Sequence, residues 1–163
     1  MAFEAYLELK GIKGESQREH YPDHIEVLSF DLGAQNDGKA WGSGRNAGTV
    51  QVNDFTFTKK IDQATPLLFQ YCCKGDTFDE AVLKIVKSAG ADRPLEYIKY
   101  KFTKVLIAGV QSGPLDPMQG VPTETVMFNY GKCEIDYQPQ GQDGKAKGGA
   151  IHGGWDVERG KTA

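Results

Sequence analysis

Two histidines four residues apart, His20 and His24, are the first residues whose type and spacing could do chemistry, because that interval puts two metal ligands on one helical face. Pro22 between them disfavours a continuous helix, and no Cys-x-x-Cys pair accompanies them. Adjacent Cys72 and Cys73 cannot easily join His152 around one tetrahedral ion, so the histidines read as solvated loop residues and no metal is expected. The remaining thiol, Cys133, leaves an odd count with no disulfide framework, which suits three reduced, partly buried cysteines. The stretch GSGRNAG at 42–48 satisfies G-x-G-x-x-A, which cradles a pyrophosphate only where it opens a helix. Here the strand-like TVQV follows, so the stretch reads as a loop and no cofactor is expected. Serines 16, 29, 43, 88 and 112 lie in no G-x-S-x-G elbow and have no evident base. Asp54, Asp62, Glu96 and Glu134 are scattered among strands and lysines and read as solvated charge on strand edges. No catalytic residue emerges, and the chain is not expected to be an enzyme.

The elements that would position any site are mostly strands. The 163 residues fit one domain, with 39% hydrophobic and 25% charged residues, as a globular protein requires. No apolar run approaches the roughly 20 residues that span a bilayer, and a net charge of −3 without a Lys/Arg cluster argues against nucleic acid. Strands are expected near 3–9, 24–33, 48–59, 79–88, 95–110, 123–138 and 150–157. In the first, Phe3, Ala5, Leu7 and Leu9 share one face, with Glu4, Tyr6 and Glu8 on the other. It starts too early to leave room for a signal peptide. Val50 and Val52 are out of phase with Phe55 and Phe57. Val126, Phe128 and Tyr130 are out of phase with Cys133, Ile135 and Tyr137 across Gly131. Such shifts mark bulges or bends, and long bent strands suggest a closed barrel or a sandwich.

One short helix is expected, with Thr65 as N-cap, Pro66 first inside and Gly75 as C-terminal cap; Leu67, Leu68, Tyr71 and Cys72 would share a face. The expected fold is therefore mainly β, a compact β-barrel of two packed antiparallel sheets with one flanking α-helix. Residues 34–48 read as an extended loop and 141–149 as a flexible connector within a single domain, 1–163. Strands such as AVLKIVK carry apolar residues on both faces, which implies outside cover by the helix or by another subunit.

Several blocks, taken in order, resemble one family. They are GIKGES at 11–16, IEVLSF at 25–30, GTVQVNDFTFTKKID at 48–62, TPLL at 65–68, AVLKIVKSAG at 81–90 and EYIKYKFTKVLIAGVQSG at 96–113. PTETVMFNYGKCEIDYQPQ at 122–140 and GGWD at 153–156 complete the set. Together they resemble the Hcp family (hemolysin-coregulated protein), the tube proteins of the bacterial type VI secretion system. The family commonly has a WSWG-like segment after EVLS; this chain has Phe30, Asp31, Leu32 and Gly33 there.

The resemblance implies a structural role. Six copies form a ring, and rings stack into a tube inside a contractile sheath beneath a spike (VgrG-like) protein. The protein waits in the cytoplasm and is then secreted without a signal peptide, carrying effectors in the lumen. Residues Ser29 and Asp31 would border that lumen. The 34–48 loop would reach the adjacent ring, with Lys39, Trp41 and Arg45 as the stacking residues; Trp41 among glycines is a good anchor. Partners would be the chain itself, the spike, the sheath and effectors, with no nucleic acid and no membrane insertion. A monomeric or dimeric β-barrel binding module for a small ligand or glycan is the alternative reading.

Overall fold

The computed structural model describes residues 3–42, 48–87, 94–113 and 120–163. Three long antiparallel strands form its backbone: β9 (Thr77–Lys87), β10 (Leu95–Ser112) and β11 (Thr123–Tyr137). β1 (Phe3–Leu9) pairs with β9 and with β4 (Ile25–Val27). β11 is long enough to take two partners besides β10. Its first half pairs with β8 (Phe55–Lys60), which carries β5 (Ser29–Asp31), and its second half pairs with β12 (Ile151–Asp156), which carries β13 (Lys161–Thr162). Two short ribbons stand apart: β2 (Gln17–Arg18) with β3 (Tyr21–Pro22), and β6 (Ala34–Asn36) with β7 (Val50–Val52).

The expectation of a mainly β chain with one helix holds, but the barrel is not closed. One nine-stranded sheet branches at β11 and wraps over the core, and its ladder does not close. β4 pairs only with β1 and β5 only with β8, because the chain changes phase between them at Leu28, whose N–H donates to Thr58 O (2.8 Å). Inside the wrap lie Phe55, Phe57, Phe102 and Phe128, all fully buried; the Phe55 ring sits 4.9 Å from both Phe102 and Phe128. Each such ring is worth about 1.5–3 kcal/mol of transfer free energy.

The helix α1 (Thr65–Lys74) packs Leu68 into this core and Tyr71 against Phe78 (4.4 Å). Gly75 caps it with φ 72° and donates to Tyr71 O, as its sequence position predicts. Thr65 is not the N-cap: Ala64 holds that place, and Asp62 Oδ1 accepts from its N–H (2.9 Å). Leu67 is exposed, so it does not share the packed face.

The outside cover expected of the helix or a neighbour comes, at one point, from the chain itself. Val86 is buried beneath Tyr6 and Tyr21, whose rings stack at 4.7 Å, so the β2–β3 ribbon folds over β1 and β9. The phase change around Gly131 is real, and β10 shares it. Lys104, between Thr103 and Val105 whose partners are Lys132 and Tyr130, adopts φ 55°. Residues 34–36 belong to a strand rather than to a loop. Residues 141–149 follow turns in which Gly141 N–H donates to Lys145 O and Lys147 N–H to Pro139 O.

Candidate functional site

Alternation along β8 sends Phe55 and Phe57 inward and Thr56 and Thr58 to the opposite face. Pairing extends that face across four strands. One row runs Ser29–Thr58–Thr125–Gln111, and the next runs Asp31–Thr56–Met127–Gly109. Ser29 and Asp31, which the resemblance implied would border a lumen, thus share one exposed face, while Phe30 between them turns onto Phe55 and Tyr100. The Ser29 and Thr58 hydroxyls are hydrogen-bonded at 2.5 Å. The Thr, Gln and Met members of this face were not singled out in the sequence. The F-T-F-T alternation and its echo in T-V-M-F were the signal that could have found them.

The predicted stacking residues lie on a different surface. β6 and β7 form a hairpin stem whose tip carries Lys39, exposed, and Trp41, 79% exposed. Asn36 Oδ1 accepts from Gly38 N–H (2.7 Å) and Asp37 Oδ1 from Thr49 N–H (2.5 Å), so side chains brace the stem. Gly48 has φ +70°, and a Cβ there would fall 2.2 Å from Gly38 N, so only glycine fits. Arg45 lies outside the described residues.

A buried ionic cluster joins the foot of β8, the start of β11 and the helix. Lys59 Nζ lies 2.5 Å from Glu124 Oε1 and donates to Asp62 Oδ1 (2.7 Å), with both charged partners of the closer contact wholly buried. Thr65 Oγ1 donates to Glu124 Oε1 (2.7 Å) and accepts from Asp62 N–H. Asp62 therefore belongs to a buried network and is not solvated edge charge. Asp62 also borders a shallow pocket of about 210 Å³, while the buried Lys59–Glu124 contact holds the elements together.

The groups with reaction potential are damped. Burial pushes the Cys133 thiol up to about 11, with Glu134 adding to it, so it is no nucleophile at neutral pH. Burial likewise raises Tyr130 to about 12, and its hydroxyl donates to Asn53 O. His24 is not a solvated loop residue: its Nδ1 meets Pro22 O at 2.9 Å and its Nε2 lies 3.4 Å from Glu8. Among the described residues no group of three His, Cys, Asp or Glu side chains could hold a metal ion. Among the same residues, no helix is long and apolar enough to cross a membrane. An apolar groove of about 510 Å³ lies over β12, walled by Phe30, Leu32 and Tyr100 and floored by Gly153 and Trp155.

A wrapped antiparallel sheet with a hydroxyl-lined outer face and a braced hairpin defines a mainly β protein. Residues 6–137 match the family described as "Type VI secretion system effector, Hcp". The chain belongs to the Hcp family of type VI secretion proteins. It is 34% identical over 160 residues to Protein hcp1 of Pseudomonas aeruginosa, covering 98% of each chain. Among solved structures it resembles one described as a type six secretion system protein, with TM-score 0.91 and 32% identity over 99% of this chain and 100% of that one. It also resembles Hcp1 from Salmonella typhimurium, with TM-score 0.78 and 29% identity over 100% of both.

Proposed function

We propose that this protein is the tube subunit of a type VI secretion apparatus. Six copies close into a ring through a heterologous interface, and rings stack through the hairpin tip that carries Lys39 and Trp41. The β5–β8–β11–β10 face lines the channel, where Ser29 and Asp31 meet effectors. The work is mechanical: a contractile sheath drives the tube and its spike outward, and no bond is made or broken by this chain. It resides in the cytoplasm until firing and is then secreted.

What supports the reading most is the match along the whole chain to a solved type VI secretion protein at TM-score 0.91. The outer face agrees with it, since a water-filled channel favours hydroxyls and a carboxylate over large apolar side chains. The test is light scattering coupled to size-exclusion chromatography on untagged protein, with negative-stain imaging of the main peak. A mass near six chains and ring-shaped particles are the expected result. A monomer at high concentration would overturn the ring.

A further inference from the structure

Met127 is out of character with its face. Its neighbours along and across the strands are Thr125, Thr56 and Thr58, yet Met127 itself is 39% exposed. Gly109 lies directly opposite it, just past a register shift in β10. A Cβ at Gly109 would fall 3.0 Å from Met127 Cγ and 3.2 Å from Sδ. Gly109 is not among the glycines with positive φ, so the backbone does not demand glycine there. What the missing side chain provides is a seat in which the methionine lies across the strand with its flank open. A thioether held this way is a soft, adaptable apolar contact.

Two strands along the same row, about 10 Å away at ordinary strand spacing, stands the carboxylate of Asp31. The one basic side chain at the foot of β8 on this face, Lys60, sits with Glu15, Glu26 and Asp62 around a shallow pocket, so positive charge does not dominate there. We propose that Asp31 and Met127 form one cargo-contact row that selects a segment presenting a bulky apolar side chain beside a lysine or arginine. Charge complementarity draws the basic group to Asp31, and the methionine covers the apolar one. This rests on the reading of the face as the channel wall, and it narrows the effectors met there to those with an amphipathic cationic segment.

The experiment uses purified rings and two fluorescein-labelled peptides of equal charge, one alternating Leu and Lys and the other Ser and Lys. Anisotropy is read at two salt concentrations. Met127→Ser should weaken the Leu/Lys peptide about tenfold and leave the Ser/Lys peptide unchanged, while Met127→Leu retains binding. Asp31→Asn should weaken both and flatten their salt dependence. Gly109→Ala, which crowds the thioether, should act like Met127→Ser. Equal binding of both peptides to wild type and Met127→Ser would overturn the row. The channel reading is scored separately by labelling Thr125→Cys, in a Cys73→Ser background, with maleimide gold. Density at the ring centre supports it, and density at the rim overturns it whatever the peptides do.

Discussion

Lys59 Nζ and Glu124 Oε1 lie 2.5 Å apart with both side chains fully buried, and this contact ties β8, β11 and the helix into one unit. Removing one partner strands the other as an uncompensated charge away from water. Glu124→Leu or Lys59→Met alone should cost about 3–5 kcal/mol, whereas the double replacement should cost far less than the sum. Urea denaturation of the four proteins closes the cycle. Additive losses would mean that the two charges do not depend on each other.

That pair also shows what the sequence could and could not convey. Lys59 continues the inward parity of Phe55 and Phe57, and Glu124 that of Val126, Phe128 and Tyr130, so the period of two already placed both inside. Residue type argued the other way, because a lone charge in a strand usually faces water; only the pairing of β8 with β11 brings the two together. Strand phase, the bend at Gly131 and the Gly75 cap were legible because they depend on local geometry. The Tyr6–Tyr21 cover and the branching at β11 were not, since they join segments far apart in the chain. Ser29 and Asp31 came from the resemblance, and their Thr and Met neighbours needed the register.

Lys104 has φ 55°, a conformation that costs a side-chain-bearing residue about 1–2 kcal/mol, and its ion pair with Glu158 is exposed and returns little. Lys104→Gly should therefore gain roughly 0.5–1 kcal/mol, while Lys104→Val, with a branched Cβ in a left-handed bend, should lose about 1–2 kcal/mol. Chemical denaturation reads both. A less stable Lys104→Gly would show that the bend is held by the lysine stem.

His152 makes a pH-dependent latch on the last strand. Nδ1 meets Asp136 Oδ1 at 2.7 Å and Nε2 meets Ala163 O at 3.0 Å, and both contacts can be donated together only by the imidazolium. The Asp136 carboxylate first, and then the Ala163 carbonyl, raise its pKa above 6.5. A raised folded-state pKa means that the stabilisation is fully present below the unfolded value of 6.5 and is lost as pH rises through the higher folded value. Amides of residues 161–163 should exchange faster at pH 8.5 than pH 5.5 after correction for intrinsic rates, and His152→Gln should remove the difference. A latch that persists unchanged at pH 8.5 would mean that β13 is held by its backbone bonds alone.

Trp41 stands 79% exposed on a stem whose backbone is braced by Asn36 and Asp37, so the indole is presented to solvent on a braced support. An indole anchored this way and buried on stacking would contribute about 2 kcal/mol or more per contact, as interface hot spots do. Trp41→Ala should leave the subunit fold and the ring mass unchanged, because its side chain is 79% exposed and not part of the buried core. It should shift the equilibrium from stacked tubes to single rings, seen as loss of the fast-sedimenting species at a concentration where the parent forms tubes. The same substitution in Lys39 should have a smaller, salt-dependent effect, since an exposed charge is screened. Tubes of undiminished length from Trp41→Ala would remove this residue from the stacking surface and turn attention to the faces of the ring away from the hairpin.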